Sequence, residues 1–103
     1  MAQSINETAT ANGNYPSNDG IDWPGGGGEF RVLNGTWDGA TAKVQMSDDG
    51  TNWVDEPSGL LSFTADERYG FTATPCKIRI NVANVGTTSI QLVLGRTDRA
   101  GQQ

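Results

Sequence analysis

Strict alternation of apolar and polar residues is the feature that most constrains this chain. In segment 40–46, Ala-Thr-Ala-Lys-Val-Gln-Met, every even position is apolar and every odd position is polar. Segment 76–82, Cys-Lys-Ile-Arg-Ile-Asn-Val, has the same pattern, and segment 89–94 nearly has it. Because successive side chains of a strand point to opposite faces, each segment predicts a β-strand with one buried face and one solvated face.

Turn residues separate these segments at short intervals. Further short strands are predicted at 29–34, 52–54, 60–65 and 69–74, with Asn-Gly, Asp-Gly and Pro-Ser-Gly turns among the connections. No segment has the period of a helix. The pattern predicts an all-β fold, a small antiparallel β-sandwich of jelly-roll or immunoglobulin-like type with about seven short strands over 29–96. Residues 97–103 form a polar C-terminal tail in this prediction.

Residues 1–28 differ in composition from the rest. Of these 28 residues, 17 are Gly, Pro, Ser, Thr, Asn or Gln, and none is basic. The large apolar residues are widely spaced and without a period: Ile5, Tyr15, Ile21 and Trp23. Four glycines at 25–28 predict a flexible joint. We therefore predict an extended N-terminal arm that becomes ordered on a neighbouring subunit or shell, with the four apolar residues as its contacts.

Charge and composition argue against several classes of function. The chain has 103 residues, 7 of them basic and 12 acidic, so its net charge of −5 is unlike that of a nucleic-acid-binding protein. It has no histidine, and Cys76, its single cysteine, continues the apolar face of a predicted strand. Neither an enzyme nor a cofactor is expected. Residues 1–29 contain four acidic and no basic residues, whereas 30–103 contain eight acidic and seven basic ones.

Nothing in the sequence predicts a membrane protein or a secreted one. No apolar run approaches the ~18–20 residues that span a bilayer. The first residues have neither the basic nor the apolar region of a secretory signal, so we expect the chain to stay in the cytoplasm where it is made.

The size of the predicted sandwich favours self-association. Residues 30–96 number 67, and a single core of that size rarely contributes more than ~3–5 kcal/mol. Oligomerisation would add buried surface and cover exposed sheet edges. We predict a homo-oligomer, with a trimer as the preferred state.

One turn has some of the ligand types of a calcium site. Asp48, Asp49 and Asn52 surround Gly50, and Glu56 follows six residues after it, as in an EF-hand loop. The flanking helices of an EF-hand are not predicted, and a hairpin turn accounts for Asp and Gly at these positions. We favour the turn and keep the three residues as a weak metal candidate.

Two tryptophans lie beside turns, Trp37 before Asp38-Gly39 and Trp53 after Asp49-Gly50. Aromatic residues at the ends of a sandwich either stack on sugars or cover the open ends of the core. We favour core covering for both. Glycan stacking by Trp37 and Trp53 is the alternative.

The sequence resembles a known class of proteins over about residues 30–95. Gly35-Thr36-Trp37-Asp38-Gly39-Ala40-Thr41, then the alternating strand, then Ser47-Asp48-Asp49-Gly50-Thr51-Asn52-Trp53, resembles small all-β virion proteins of tailed bacteriophages. The later segments Gly70-Phe71, Ile78-Arg79-Ile80 and Val85-Gly86-Thr87-Thr88-Ser89 fit the same pattern. The Ser-Asp-Asp-Gly-Thr-Asn-Trp turn is also similar to one in discoidin-like sandwiches, which bind glycans or lipids.

This resemblance implies a structural virion protein, either a capsid decoration (cement) protein or a head-fibre subunit. Such proteins are commonly trimers that bind the major capsid protein on the outer surface of the shell and stabilise it. The implied location is the virion, after assembly in the host cytoplasm. The alternatives are a carbohydrate-binding or host-attachment module of a fibre, and another virion role such as a tail or connector component.

Overall fold

The fold is all-β, as the alternation predicts. A computed structural model describes residues 4–55 and 61–96, with the side chain of Asn34 excepted. Within these ranges there are ten strands and no helix, hence none that could cross a membrane. The strands are β1 Ile5–Ala9, β2 Gly13–Tyr15, β3 Ile21–Trp23, β4 Gly26–Thr36, β5 Thr41–Ser47, β6 Val54–Asp55, β7 Ser62–Phe63, β8 Glu67–Ala73, β9 Cys76–Ala83 and β10 Ser89–Arg96. The predicted tail at 97–103, the Pro-Ser-Gly turn and Glu56 lie outside the described residues.

Two antiparallel sheets form the sandwich. The first sheet has the strand order β1-β10-β4-β8. In the second sheet β9 pairs with β5 and also with the two short strands β2 and β3, while β6 and β7 pair with β5. All pairings are antiparallel.

The alternating residues line the space between the sheets. In β5 and β9 the buried apolar side chains are all at even positions, and Arg79 and Lys43 lie on the outer face. Phe30 in β4 stacks on Phe63 in β7, with ring centroids 4.6 Å apart, and joins the two sheets. The buried apolar side chains are Ile5, Ala9, Trp23, Phe30, Val32, Ala40, Ala42, Val44, Leu61, Phe63, Ile78, Ile80, Val82, Ile90, Leu92 and Leu94.

The prediction of a separate N-terminal arm is wrong for residues 4–28. β1 pairs along its whole length with β10, placing Ile5 opposite Leu94. Ile5 and Trp23 are each 1% exposed in the core of their own chain, and Tyr15 and Ile21 pack against that core. These four residues are therefore contacts within the sandwich, which extends over the described residues from 4 to 96. β2 and β3 were not predicted because each has only three residues, too few to show an alternating pattern.

The glycine run is also part of a strand. Gly26–Gly28 begin β4 and pair with the end of β8. A Cβ atom on Gly28 would lie 2.6 Å from Cη2 of Trp23 and 2.8 Å from Cζ of Phe71. The absence of a side chain at Gly28 thus makes room for the Trp23 indole, whose ring lies 5.3 Å from that of Phe71. The predicted flexible joint is instead a site of close packing.

These N-terminal strands change the stability argument for an oligomer. The sequence analysis assigned the core to residues 30–96 alone, but Ile5, Ala9 and Trp23 belong to the same buried cluster. A small core no longer requires partner subunits by itself. The predicted homotrimer keeps its support from the resemblance only.

Replacing Ile5 by Ala tests whether β1 belongs to the core. The lost methylenes and the resulting cavity should lower the free energy of unfolding by about 2–5 kcal/mol. Thr8→Ala, on the exposed face of the same strand, should change it by less than about 0.5 kcal/mol. Urea denaturation measures both. Equal small effects would mean that β1 is not packed as described.

Gly28→Ala tests the close packing beneath Trp23. The added methyl group must displace Trp23 or Phe71, and such overpacking should cost about 1–3 kcal/mol of unfolding free energy. Gly95→Ala is the matched control, because a Cβ there would meet only the Cβ of Ser4 at an ordinary 3.7 Å. If thermal or urea denaturation shows the two variants equally stable, the tight contact is refuted.

Candidate functional site

Acidic groups do not converge on a metal centre in the part of the chain that the structure describes. No group of three or more His, Cys, Asp or Glu side chains there could hold an ion. Cys76 is half-buried and packs against the core. Burial, together with the negative charge of Asp48, raises the pKa of its thiol. The features of the described residues that could bind a partner are therefore surfaces.

The turn that contains the weak metal candidates Asp48, Asp49 and Asn52 is closed by its own hydrogen bonds. Oδ1 of Asp49 accepts bonds from the backbone N–H groups of Thr51 and Asn52, both at 2.8 Å, and from the hydroxyl of Ser47 at 3.0 Å. Oδ2 accepts a bond from the side-chain amide of Asn52 at 2.8 Å. These donors hold the pKa of Asp49 well below its usual range. The turn prediction is confirmed. Both carboxylate oxygens of Asp49 accept hydrogen bonds within the turn, and Asp48 is exposed beside it.

A shallow hollow of about 310 Å³ lies beside this turn. Val54, which is 62% exposed, forms part of its lining together with Met46 and the turn residues. Of the lining carboxylates, that of Asp49 is already fully used by the turn. The hollow offers little polar chemistry for fixing a ligand.

Trp53 lies on the outer face of the second sheet. The guanidinium carbon of Arg79 sits 4.1 Å from the centre of its ring, and the indole N–H donates to the carbonyl of Gly50 at 3.2 Å. Arg79 is fixed in turn by bonds from its Nε to Gln45 at 2.9 Å and from a terminal nitrogen to the carbonyl of Asn18 at 2.8 Å. Core covering is thus the wrong interpretation of Trp53, which covers the outer face of the sheet with Arg79 stacked on it.

Trp37 has the role that we favoured. It packs against the core, and its indole N–H donates to Oδ1 of Asp66 at 2.9 Å. The backbone carbonyl of Trp37 also accepts a bond from the Thr88 hydroxyl at 2.8 Å. Trp37 precedes β5 and Trp53 follows it, and seven strand residues extend about 23 Å. The structure therefore does not bring the two tryptophans together as one stacking platform for a glycan.

A surface with the character of a protein interface lies on the first sheet. We call it the β4–β8 patch: Glu29, Arg31 and Leu33 of β4, with Arg68 of β8. Leu33 is 37% exposed. Tyr69 is 41% exposed but lies opposite the buried Phe30, so it belongs to the other face of β8. Arginine side chains are enriched at protein interfaces.

Register places the charged members of the patch side by side. Arg31 lies opposite Arg68 across the β4–β8 pair, on the face turned away from the core. Both bind one carboxylate, with Nε of Arg31 3.4 Å and Nε of Arg68 3.2 Å from different oxygens of Glu29. Two guanidinium groups share one carboxylate, so this part of an acidic chain carries excess positive charge.

On the outer face of the second sheet, the lysines are paired one to one with carboxylates. Lys43 pairs with Asp55 at 3.2 Å, and Lys77 pairs with Asp22 at 2.6 Å. Each lysine there has its own carboxylate, whereas the β4–β8 patch has one for two arginines. The outward direction of the patch residues on β4 could have been inferred from the sequence, because Arg31 and Leu33 alternate with the buried Phe30 and Val32. Their juxtaposition with Arg68 depends on a strand pairing that the sequence does not reveal.

Comparison with known proteins adds no assignment. No protein-family model matches the sequence, and no significant match is found among curated proteins or solved structures. The similarity to phage virion proteins remains a prediction that rests on the motifs quoted above. Function is therefore argued from the surfaces of the fold.

The Asp49 turn predicts a specific pH dependence of stability. A carboxyl group whose pKa is lowered by folding stabilises the fold fully above its unfolded pKa, and loses that effect as the pH falls toward the folded pKa. Asp49→Asn should therefore lower the urea midpoint at pH 7, and the difference from the original chain should shrink below about pH 4. Asp48→Asn serves as the control, with a small change expected throughout. A difference that grows on acidification would contradict the assignment.

Proposed function

We propose that this chain is a structural virion protein that binds the outer surface of a phage capsid and stabilises the shell. It acts as a non-enzymatic decoration protein, with the major capsid protein as its partner and neither nucleic acid nor a membrane involved. The observation that supports the proposal best is the β4–β8 patch, an arginine-rich surface with the exposed Leu33 on a hydrogen-bonded sheet.

The patch replaces the N-terminal arm as the binding element. Ile5 and Trp23 are buried in the core of their own chain and are inaccessible to a capsid. Arg68 has 73% of its side chain exposed and can reach a partner. Its strand β8 pairs with β4, which pairs in turn with β10, so the backbone beneath the patch is fixed. A surface fixed in this way loses little conformational entropy on binding.

The charge of the patch indicates the kind of surface it fits. Arginine binds carboxylates through a planar fork of donors, which makes it effective at interfaces with acidic side chains. We therefore expect the capsid surface beneath this protein to be acidic, with an apolar contact for Leu33. Attachment should weaken as salt is raised, because exposed charges are screened within about 8 Å at physiological ionic strength.

Mechanical stabilisation follows from the same contacts. A domain that binds two neighbouring capsid subunits resists their separation, and no catalytic group is needed for this task. The sandwich is suited to it because its hydrogen-bonded sheets keep the contacting side chains at fixed distances. The patch belongs to the outer face of the first sheet, which leaves the second sheet exposed to solvent.

A particle-binding experiment tests the proposal. The tagged chain is produced in the cells that carry its gene, and phage particles from the lysate are separated on a density gradient. We expect the chain to migrate with the particles in many copies, and Arg68→Ala to reduce the bound amount several-fold, since the lost fork contacts are of the charge-assisted kind.

The control for that experiment is Lys77→Ala, which removes a surface ion pair from the other sheet. It should leave particle binding unchanged. Complete absence of the original chain from purified particles would overturn the proposal. Equal loss with both variants would show that the β4–β8 patch is not the binding surface.

A further inference from the structure

Strand β8 presents an open edge of unusual character. It has β4 on one side and, among the described residues, no strand on the other. Its last five residues, Tyr-Gly-Phe-Thr-Ala at 69–73, carry no charge and contain no proline. Open edges of this kind are prone to pair with another strand, and proteins usually protect them with charges, proline or bulges.

The opposite edge of the same sheet is protected. In β1, Glu7 lies opposite the buried Leu92 in the register of the β1–β10 pair and so shares the face of Ile5 and Ala9, although its own side chain is exposed at the sheet edge. An inward-directed charge is one of the devices that prevent edge pairing. The remaining edge strands, β2, β3, β6 and β7, have two or three residues each. Among the described edge strands, β8 has the longest uncharged stretch, because its charged residues, Glu67 and Arg68, lie at its start.

We propose that two copies of this chain associate by antiparallel pairing of β8 with β8 about a two-fold axis at Gly70. This dimer goes beyond the proposed function and does not depend on it. The occupant is a second copy because the strand is complementary to itself in this register. It would join two four-stranded sheets into one continuous sheet of eight strands.

The register about Gly70 matches side chains in favourable pairs. Tyr69 lies opposite the partner's Phe71, and the symmetry gives this aromatic pair twice. Arg68 lies opposite the partner's Thr72, so no like charges face each other across the junction. Aromatic cross-strand pairs stabilise antiparallel sheets, whereas like charges directly opposite destabilise them. Gly70 on the axis places no side chain between the two strands.

The dimer would strengthen the proposed attachment. A two-fold axis perpendicular to the continuous sheet leaves both outer faces on the same side, so two β4–β8 patches point in one direction. Binding of one patch then raises the effective concentration of the other at the same surface. This gain rests on the proposed function, whereas the dimer itself is tested without particles.

Charge substitutions at Thr72 test the register. Thr72 is exposed and lies opposite the partner's Arg68, so Thr72→Lys should weaken the dimer several-fold and Thr72→Glu should strengthen it several-fold. Thr8→Lys and Thr8→Glu place the same charges on the exposed face of β1, at the other edge of the sheet, and should leave association unchanged. Sedimentation equilibrium of the full chain, at physiological salt and at protein concentrations up to about 1 mM, measures the dissociation constant.

A concentration-dependent dimer with opposite responses to Lys and Glu at Thr72 supports the proposal. A monomer over the whole concentration range overturns it, as does the trimer expected from the resemblance. A dimer that responds equally at Thr8 and Thr72, or not at all, overturns the β8 interface. Dimerisation without particle binding would refute only the proposed function, and particle binding by a monomer only the dimer.

Discussion

The contact of the Trp23 indole with Gly28 and Phe71 connects the two sheets of this protein. Trp23 belongs to the second sheet, whereas Gly28 and Phe71 belong to the first. The indole therefore occupies space that any side chain at Gly28 would fill. The N-terminal strands remain on the sandwich because of this packing and of Ile5, and the chain crosses between the sheets immediately after Trp23. A polar segment thereby becomes part of the core.

The two outer faces of the sandwich follow from the same architecture but differ in chemistry. On the second sheet, lysines and Arg79 are held by aspartates, amides and the Trp53 ring, so charge is balanced locally. On the first sheet, two arginines share Glu29 beside an exposed leucine and an open strand. The charged side chains of the second sheet thus have partners within the molecule, whereas the two arginines of the first sheet share one carboxylate and can bind a further one. An asymmetric surface of this kind suits a protein that attaches by one side.

Sequence reasoning succeeded where local pattern determines structure. The alternation at 40–46 and 76–82 predicted β5 and β9 because a two-residue period directly encodes a half-buried strand. It failed for β1, β2 and β3, in which burial depends on pairing with strands more than fifty residues later in the sequence. The position of Trp53 was predicted wrongly because its ring stacks with Arg79 of β9, a contact between residues that are distant in the sequence. The β4–β8 patch likewise needs strand order, which no single segment contains.

The pairing of the first strand with the last has a consequence for how the chain acquires its structure. Ile5 lies opposite Leu94, so β1 cannot pair until β10 has been synthesised. Contacts between such distant residues must form against the entropy of closing a long loop, and folds dominated by them form slowly. During synthesis β1 therefore remains unpaired, and its polar residues keep it soluble. The polar composition of β1, which is typical of disordered segments, thus suits the period before β1 pairs with β10.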